Sequence, residues 1–109
     1  MAGRLERGDI RLLRMKPPDK ERPVVVLTRG SSLEFLGWVT VAPITSTIRG
    51  VKSEALLDLD DGMKGPCVVN AHNLTTVRRE QIGRRVARLS EARLHQVCAA
   101  VAFALGCDT

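Results

Sequence analysis

A chain of 109 residues, 44% hydrophobic and 27% charged, suits one domain with one modest core and is too apolar to stay disordered. Its net charge of +5 favours polyanions such as nucleic acid, with an ordinary arginine-rich surface as the bland alternative. One Trp, two Phe and no Tyr are too few for folds that stack bases on aromatic platforms, so the core must be aliphatic.

Cys67, Cys98 and Cys107 are odd in number and show no CxxC spacing. That pattern argues against a metal site or a disulfide framework and for buried small apolar residues in a reducing compartment. The N-terminal MAGRLERGDI lacks the apolar run of a signal peptide, and no stretch is long enough to span a bilayer. A cytoplasmic location with no membrane partner is expected.

Along the chain, Gly8 to Met15 reads as a half-buried strand, with Ile10 and Leu12 alternating with Asp9 and Arg11. Lys16 to Glu21, stiffened by Pro17 and Pro18, breaks it. Arg22-Pro23 opens a second strand, Val24 to Leu27, whose unbroken β-branched run predicts burial on both faces. Pro23 is tolerated only at the start. Leu33 to Leu36 suggests a helical turn. Trp38 to Thr45 is a third strand, and Thr45 to Gly50 a polar loop.

Glu54 to Leu59 is a further strand, with Ala55, Leu57 and Leu59 on one face and Glu54, Leu56 and Asp58 on the other. Asp60-Asp61-Gly62 is a turn. Short strands follow at Cys67 to Asn70, Thr75 to Val77 and Val86 to Leu89. Ser90 N-caps a terminal helix, with Glu91 in its first turn. Leu94, Val97, Cys98, Val101, Ala102 and Leu105 form its apolar face, and Gly106 stops it. Many short strands before one helix predict a mainly β domain over 1–109, a small barrel packed by its C-terminal helix.

Four blocks in this order carry a specific likeness: Arg7-Gly8-Asp9-Ile10, Arg22-Pro23-Val24-Val25-Val26-Leu27, Ala42-Pro43-Ile44-Thr45-Ser46-Thr47-Ile48-Arg49-Gly50, and Val68-Val69-Asn70. A weaker fifth is Ile82 to Leu89. The sequence resembles the MazF/PemK family of toxin ribonucleases. The resemblance implies an SH3-like barrel and a homodimer. It implies sequence-specific, metal-independent cleavage of single-stranded RNA without a cofactor. It also implies a cognate MazE-like antitoxin with an acidic, flexible C-terminal segment.

Metal-free cleavage can use the RNA's own 2′-OH as nucleophile, which excludes DNA. It needs a proton acceptor, positive charge on the phosphate and help for the leaving oxygen. By the resemblance, Arg22 is the catalytic arginine: a permanently charged fork that can span two phosphate oxygens. Thr45 is the catalytic threonine, whose hydroxyl can donate to a phosphate oxygen; alternatively it forms an ST-turn with nearby backbone. Ser46, Thr47, Arg49 and Asn70 are candidate RNA contacts. His72 stands where many relatives carry an aspartate, and an imidazole titrating near neutrality could take the proton. A surface histidine is the competing account. His95, beside the helix's apolar face, reads as structural. Arg11 stands where relatives often have Trp, and the Lys16–Glu21 loop is shorter than in many relatives, so a target motif does not carry over. Arg78, Arg79, Arg84, Arg85 and Arg88 read as a solvated face able to extend the positive groove. The alternatives are a CcdB-like gyrase-binding toxin, against which the polar ending Gly106-Cys107-Asp108-Thr109 argues, and a non-catalytic SH3-like interaction module.

Overall fold

Alternating and continuous β-branched runs become seven strands, and the one long amphipathic stretch becomes the helix. A computed structural model describes residues 4–18 and 20–108; Asp19 of the proline loop and the two chain ends lie outside the described residues. The strands are β1 (Asp9–Leu13), β2 (Arg22–Val26), β3 (Trp38–Thr45), β4 (Glu54–Leu57), β5 (Cys67–Asn70), β6 (Thr75–Arg78) and β7 (Ile82–Arg88), followed by α1 (Glu91–Leu105). Every strand pairing is antiparallel, in the order β4-β5-β3-β2-β1-β7, with β6 also on β3.

β5 and β6 share one edge of β3. Val68 and Val69 pair with Thr45 and Ile44, whereas Thr75 to Arg78 pair with Val41 to Trp38. The short 3-10 turn Ala71–Asn73 is looped out between them, and the Asn70 side chain caps it by accepting from the His72 N–H at 3.0 Å. The interruption lies beside the middle of β3, at Ala42 and Pro43, between the two paired stretches.

The period of two sends alternate valines of β2 to opposite cores. Val25 packs with Ile10, Ala42 and the helix residues Val97 and Ala100, whereas Val24 and Val26 pack with Leu13, Val39, Val41 and Val77. β2 is therefore covered on both faces, as its sequence predicts. The Ser90 hydroxyl accepts from the Arg93 N–H at 3.1 Å, and Gly106, at φ 73°, closes the helix. Such an N-cap contributes about 1 kcal/mol.

Several expectations are corrected. β1 has no solvated face: Asp9 and Arg11 are as buried as Ile10. Arg11 donates to Asp9 Oδ2 from Nε at 3.1 Å and from Nη2 at 2.9 Å, and Nη1 donates to the Gly83 carbonyl at 3.1 Å. The strand from Glu54 ends at Leu57 because Asp58 begins a capping box with Asp61, which leaves Leu59 exposed in a 3-10 turn. β7 starts at Ile82, four residues early, because β1 supplies a ladder partner that sequence periodicity cannot see. The helix is rotated: Leu94, Val97, Ala100, Val101 and Ala104 face the core, whereas Leu105 is exposed. The early helical turn begins sooner than expected, at Gly30–Ser32, and runs on through the expected stretch, where the Phe35 and Leu36 N–H groups donate to the Ser32 carbonyl at 3.1 Å. Of the cysteines only Cys67 is buried; Cys98 is half-buried and Cys107 exposed. His95 is exposed. The core is aliphatic, and all three aromatic side chains reach the surface, Phe35 at 82% exposure.

Candidate active site

The β2–β3 ladder positions the two residues singled out from the sequence. Val24 pairs with Pro43. β2 begins at Arg22 and β3 ends at Thr45, so the two residues stand at the same end of this antiparallel pair, just beyond its last paired position. Neither could move one place along its strand without flipping to the other face.

Arg22, Pro43, Ile44, Thr45, Thr47, Arg49, Glu54, Asn70 and Asn73 line one cleft of about 280 Å³. Five sequence candidates therefore meet there: Arg22, Thr45, Thr47, Arg49 and Asn70. Ser46 lies across Thr45, in a neighbouring hollow with Pro23, Met63, Lys64 and Cys67. His72 lines neither, although its neighbours Asn70 and Asn73 line the cleft. The looped-out turn leaves His72 exposed, with its backbone N–H bound to Asn70.

Arg22 is exposed, and its guanidinium makes no hydrogen bond or ion pair among the described residues. A permanently charged fork without an internal partner is available to an anion. Thr45 is half-buried, and its Oγ1 accepts from the Thr47 N–H at 3.2 Å. The ST-turn anticipated from sequence is thus formed. It does not consume the hydroxyl, because the oxygen accepts while the O–H can still donate. The turn orients Thr45 and ties Thr47 to the same cleft.

Sequence reasoning missed Glu54 and Asn73. Glu54 opens β4, pairs with Asn70 across β5, and its Oε1 accepts from the N–H groups of Arg49 at 3.0 Å and Gly50 at 2.9 Å. The available signal was a carboxylate four residues after a glycine that closes a polar loop. In the neighbouring hollow, burial, followed by the Asp61 and Asp58 carboxylates, pushes the Cys67 thiol up. It is therefore a protonated wall and not a nucleophile. Among the described residues no three His, Cys, Asp or Glu side chains gather as a metal would need, and no helix is long and apolar enough to cross a membrane.

The molecule is a small antiparallel barrel backed by one helix, with a cleft at a strand end that carries two arginines and one glutamate. Residues 6–105 match the family described as PemK-like, MazF-like toxins of type II toxin-antitoxin systems, and the chain belongs to that family. The probable endoribonuclease MazF2 of Mycobacterium tuberculosis is 41% identical over 91 residues, covering 83% of this chain and 89% of that protein. The structure of the Mycobacterium tuberculosis toxin MazF-mt6 superposes with a TM-score of 0.83 at 34% identity, covering 93% of this chain and 99% of that one. A mycobacterial endoribonuclease solved in complex with its cognate antitoxin has a TM-score of 0.79 at 22% identity, covering 94% and 95%, which shows the fold alone. The fold is the SH3-like barrel of these toxins.

Proposed function

We propose that this chain is the endoribonuclease toxin of a toxin-antitoxin pair, cutting single-stranded RNA at the Arg22–Thr45 cleft without a metal ion. The observation that carries this is the convergence of an unpaired guanidinium, a hydroxyl with its proton free to donate, and the Arg49 loop on one concave surface. The family match and the relatives named endoribonucleases support it. They also weigh against the gyrase-binding and non-catalytic alternatives.

In the proposed reaction the ribose 2′-oxygen attacks the adjacent phosphorus. The P–O5′ bond breaks, leaving a 2′,3′-cyclic phosphate and a 5′-hydroxyl. The 2′ proton passes to an acceptor, and the departing 5′-oxygen gains one. Arg22 spreads its charge over the crowded phosphate and assists the leaving oxygen, and Thr45 donates to a phosphate oxygen. Thr47, Arg49 and Asn70 hold the RNA, with Ser46 contacting the flanking nucleotide. His72, exposed on the turn between the cleft residues Asn70 and Asn73, is the proposed acceptor of the 2′ proton.

The partners that follow are single-stranded RNA, a second copy of this chain and an acidic antitoxin. The compartment is the cytoplasm, where messenger RNA is available. The test is incubation of purified protein with a long, diverse RNA in excess chelator, followed by mapping of the new ends. Discrete cuts bearing 5′-hydroxyls are expected. No cuts by the wild type, or undiminished cutting by both Arg22→Ala and Thr45→Ala, would sink the assignment. A pH–rate profile of His72→Ala that matches the wild type would remove His72 from proton transfer and leave the rest.

A further inference from the structure

The β3–β4 connection, residues 46–53, carries Arg49 on an exposed stretch that forms no strand or helix. An eight-residue polar loop of this kind would ordinarily sample many positions, and a phosphate contact from it would have to order it first. Here the Thr45 hydroxyl holds its start through the Thr47 N–H, and a second side chain holds its middle. Glu54 Oε1 accepts from two consecutive backbone N–H groups, those of Arg49 at 3.0 Å and Gly50 at 2.9 Å. Gly50 sits at φ 72°, the left-handed conformation that turns successive N–H groups toward one point and forms an anion cradle. The cradle is filled by the chain's own carboxylate.

The anchor is rigid. Glu54 pairs with Asn70, itself a cleft residue, and its backbone N–H returns to the Val51 carbonyl at 3.0 Å. Glu54, Arg49 and Asn70 all line the same cleft as Arg22 and Thr45. Bonds from N–H groups to an ionised carboxylate are about twice as strong as neutral ones. We infer that Glu54 is a positioning residue of the cleft: it clamps the Arg49–Gly50 backbone so that Arg49 is pre-set to meet the RNA backbone. This rests on the ribonuclease function proposed above.

Because Glu54 acts through Arg49, removing either should forfeit the same contact. Glu54→Ala is expected to lower kcat/KM by about ten- to a hundredfold, the scale of losing a pre-set geometry, with most of the loss in KM because a binding contact is affected. Arg49→Ala should cost a similar factor. The double variant should be worse than either single by no more than about twofold, because coupled residues are not additive. Glu54→Gln keeps an accepting oxygen without the charge and should recover most of the loss.

Hydrogen exchange of the Arg49 and Gly50 amides in the RNA-free protein reads the clamp independently of cutting. Glu54→Ala should speed both by about tenfold or more, with Glu54→Gln intermediate. Unchanged exchange in Glu54→Ala overturns the clamp even if the wild type cuts RNA. Faster exchange with undiminished cutting, or fully additive losses, overturns its role in the site. Accelerated exchange in a protein whose wild type never cuts RNA overturns the proposed function and leaves the clamp standing. If Glu54→Gln falls as far as Glu54→Ala and also shifts the pH–rate profile, Glu54 is a proton acceptor, and positioning is overturned.

Discussion

Arg11 and Arg22 sit on neighbouring antiparallel strands, two residues apart in register: Arg11 pairs with Val24, and Leu13 with Arg22. Arg11 is 2% exposed and bonded to Asp9, the Gly83 carbonyl and the Arg4 carbonyl. Arg22 is exposed with no partner among the described residues. The same guanidinium is therefore structural where the fold satisfies its donors and available for chemistry where the fold leaves them open.

Arg11→Ala leaves Asp9 charged at 0% exposure and is expected to cost about 3–5 kcal/mol, read as a lower denaturant midpoint. Arg22→Ala should leave that midpoint unchanged while RNA cleavage falls by about 10²–10³-fold, the scale of losing one preorganised charge or donor at a transition state. If both variants lose stability alike, the distinction between the two arginines collapses.

Two smaller effects sharpen the contrast. Gly83→Ala places a Cβ 2.9 Å from the Leu12 carbonyl, on the residue whose own carbonyl receives Arg11. Backbone must shift, so a loss of about 1–3 kcal/mol in thermal or denaturant unfolding is expected, with cleavage by the remaining folded protein intact. Arg85→Ala removes the half-exposed cation 3.8 Å from Asp9 Oδ1. It should change stability by about 1 kcal/mol or less, because solvent screens the pair. A loss as large as that of Arg11→Ala would mean that exposure is not what separates these arginines.

Much of the fold could be read in the residues. The valine run of β2, the alternation of β3, the Ser90 cap and the Gly106 stop are local signals, and the structure realises each of them. Thr45 and Arg22 were legible as strand-end residues, and the family likeness named their roles. Glu54 was legible as a carboxylate four residues after Gly50, but its bonds to the Arg49 and Gly50 N–H groups were not, because they depend on the folded path of the loop. His72 aligned with a relative's carboxylate, but the looped-out turn between β5 and β6 holds it outside the cleft lining.

Local pattern and composition set the valine run of β2, the alternation of β3, the helix limits, the aliphatic core and the net positive charge, because none of these needs a partner from a distant segment. Only the tertiary structure decided which polar groups were satisfied. The pairing of β2 with β3 brought Arg22 and Thr45 to one cleft, the burial of Asp9 beside Arg11 closed one guanidinium, and Glu54 fixed the loop that carries Arg49. Each of those outcomes depends on partners brought from distant segments or on backbone groups in a fixed geometry, so the difference between a structural and a functional charge appears only once the chain has folded.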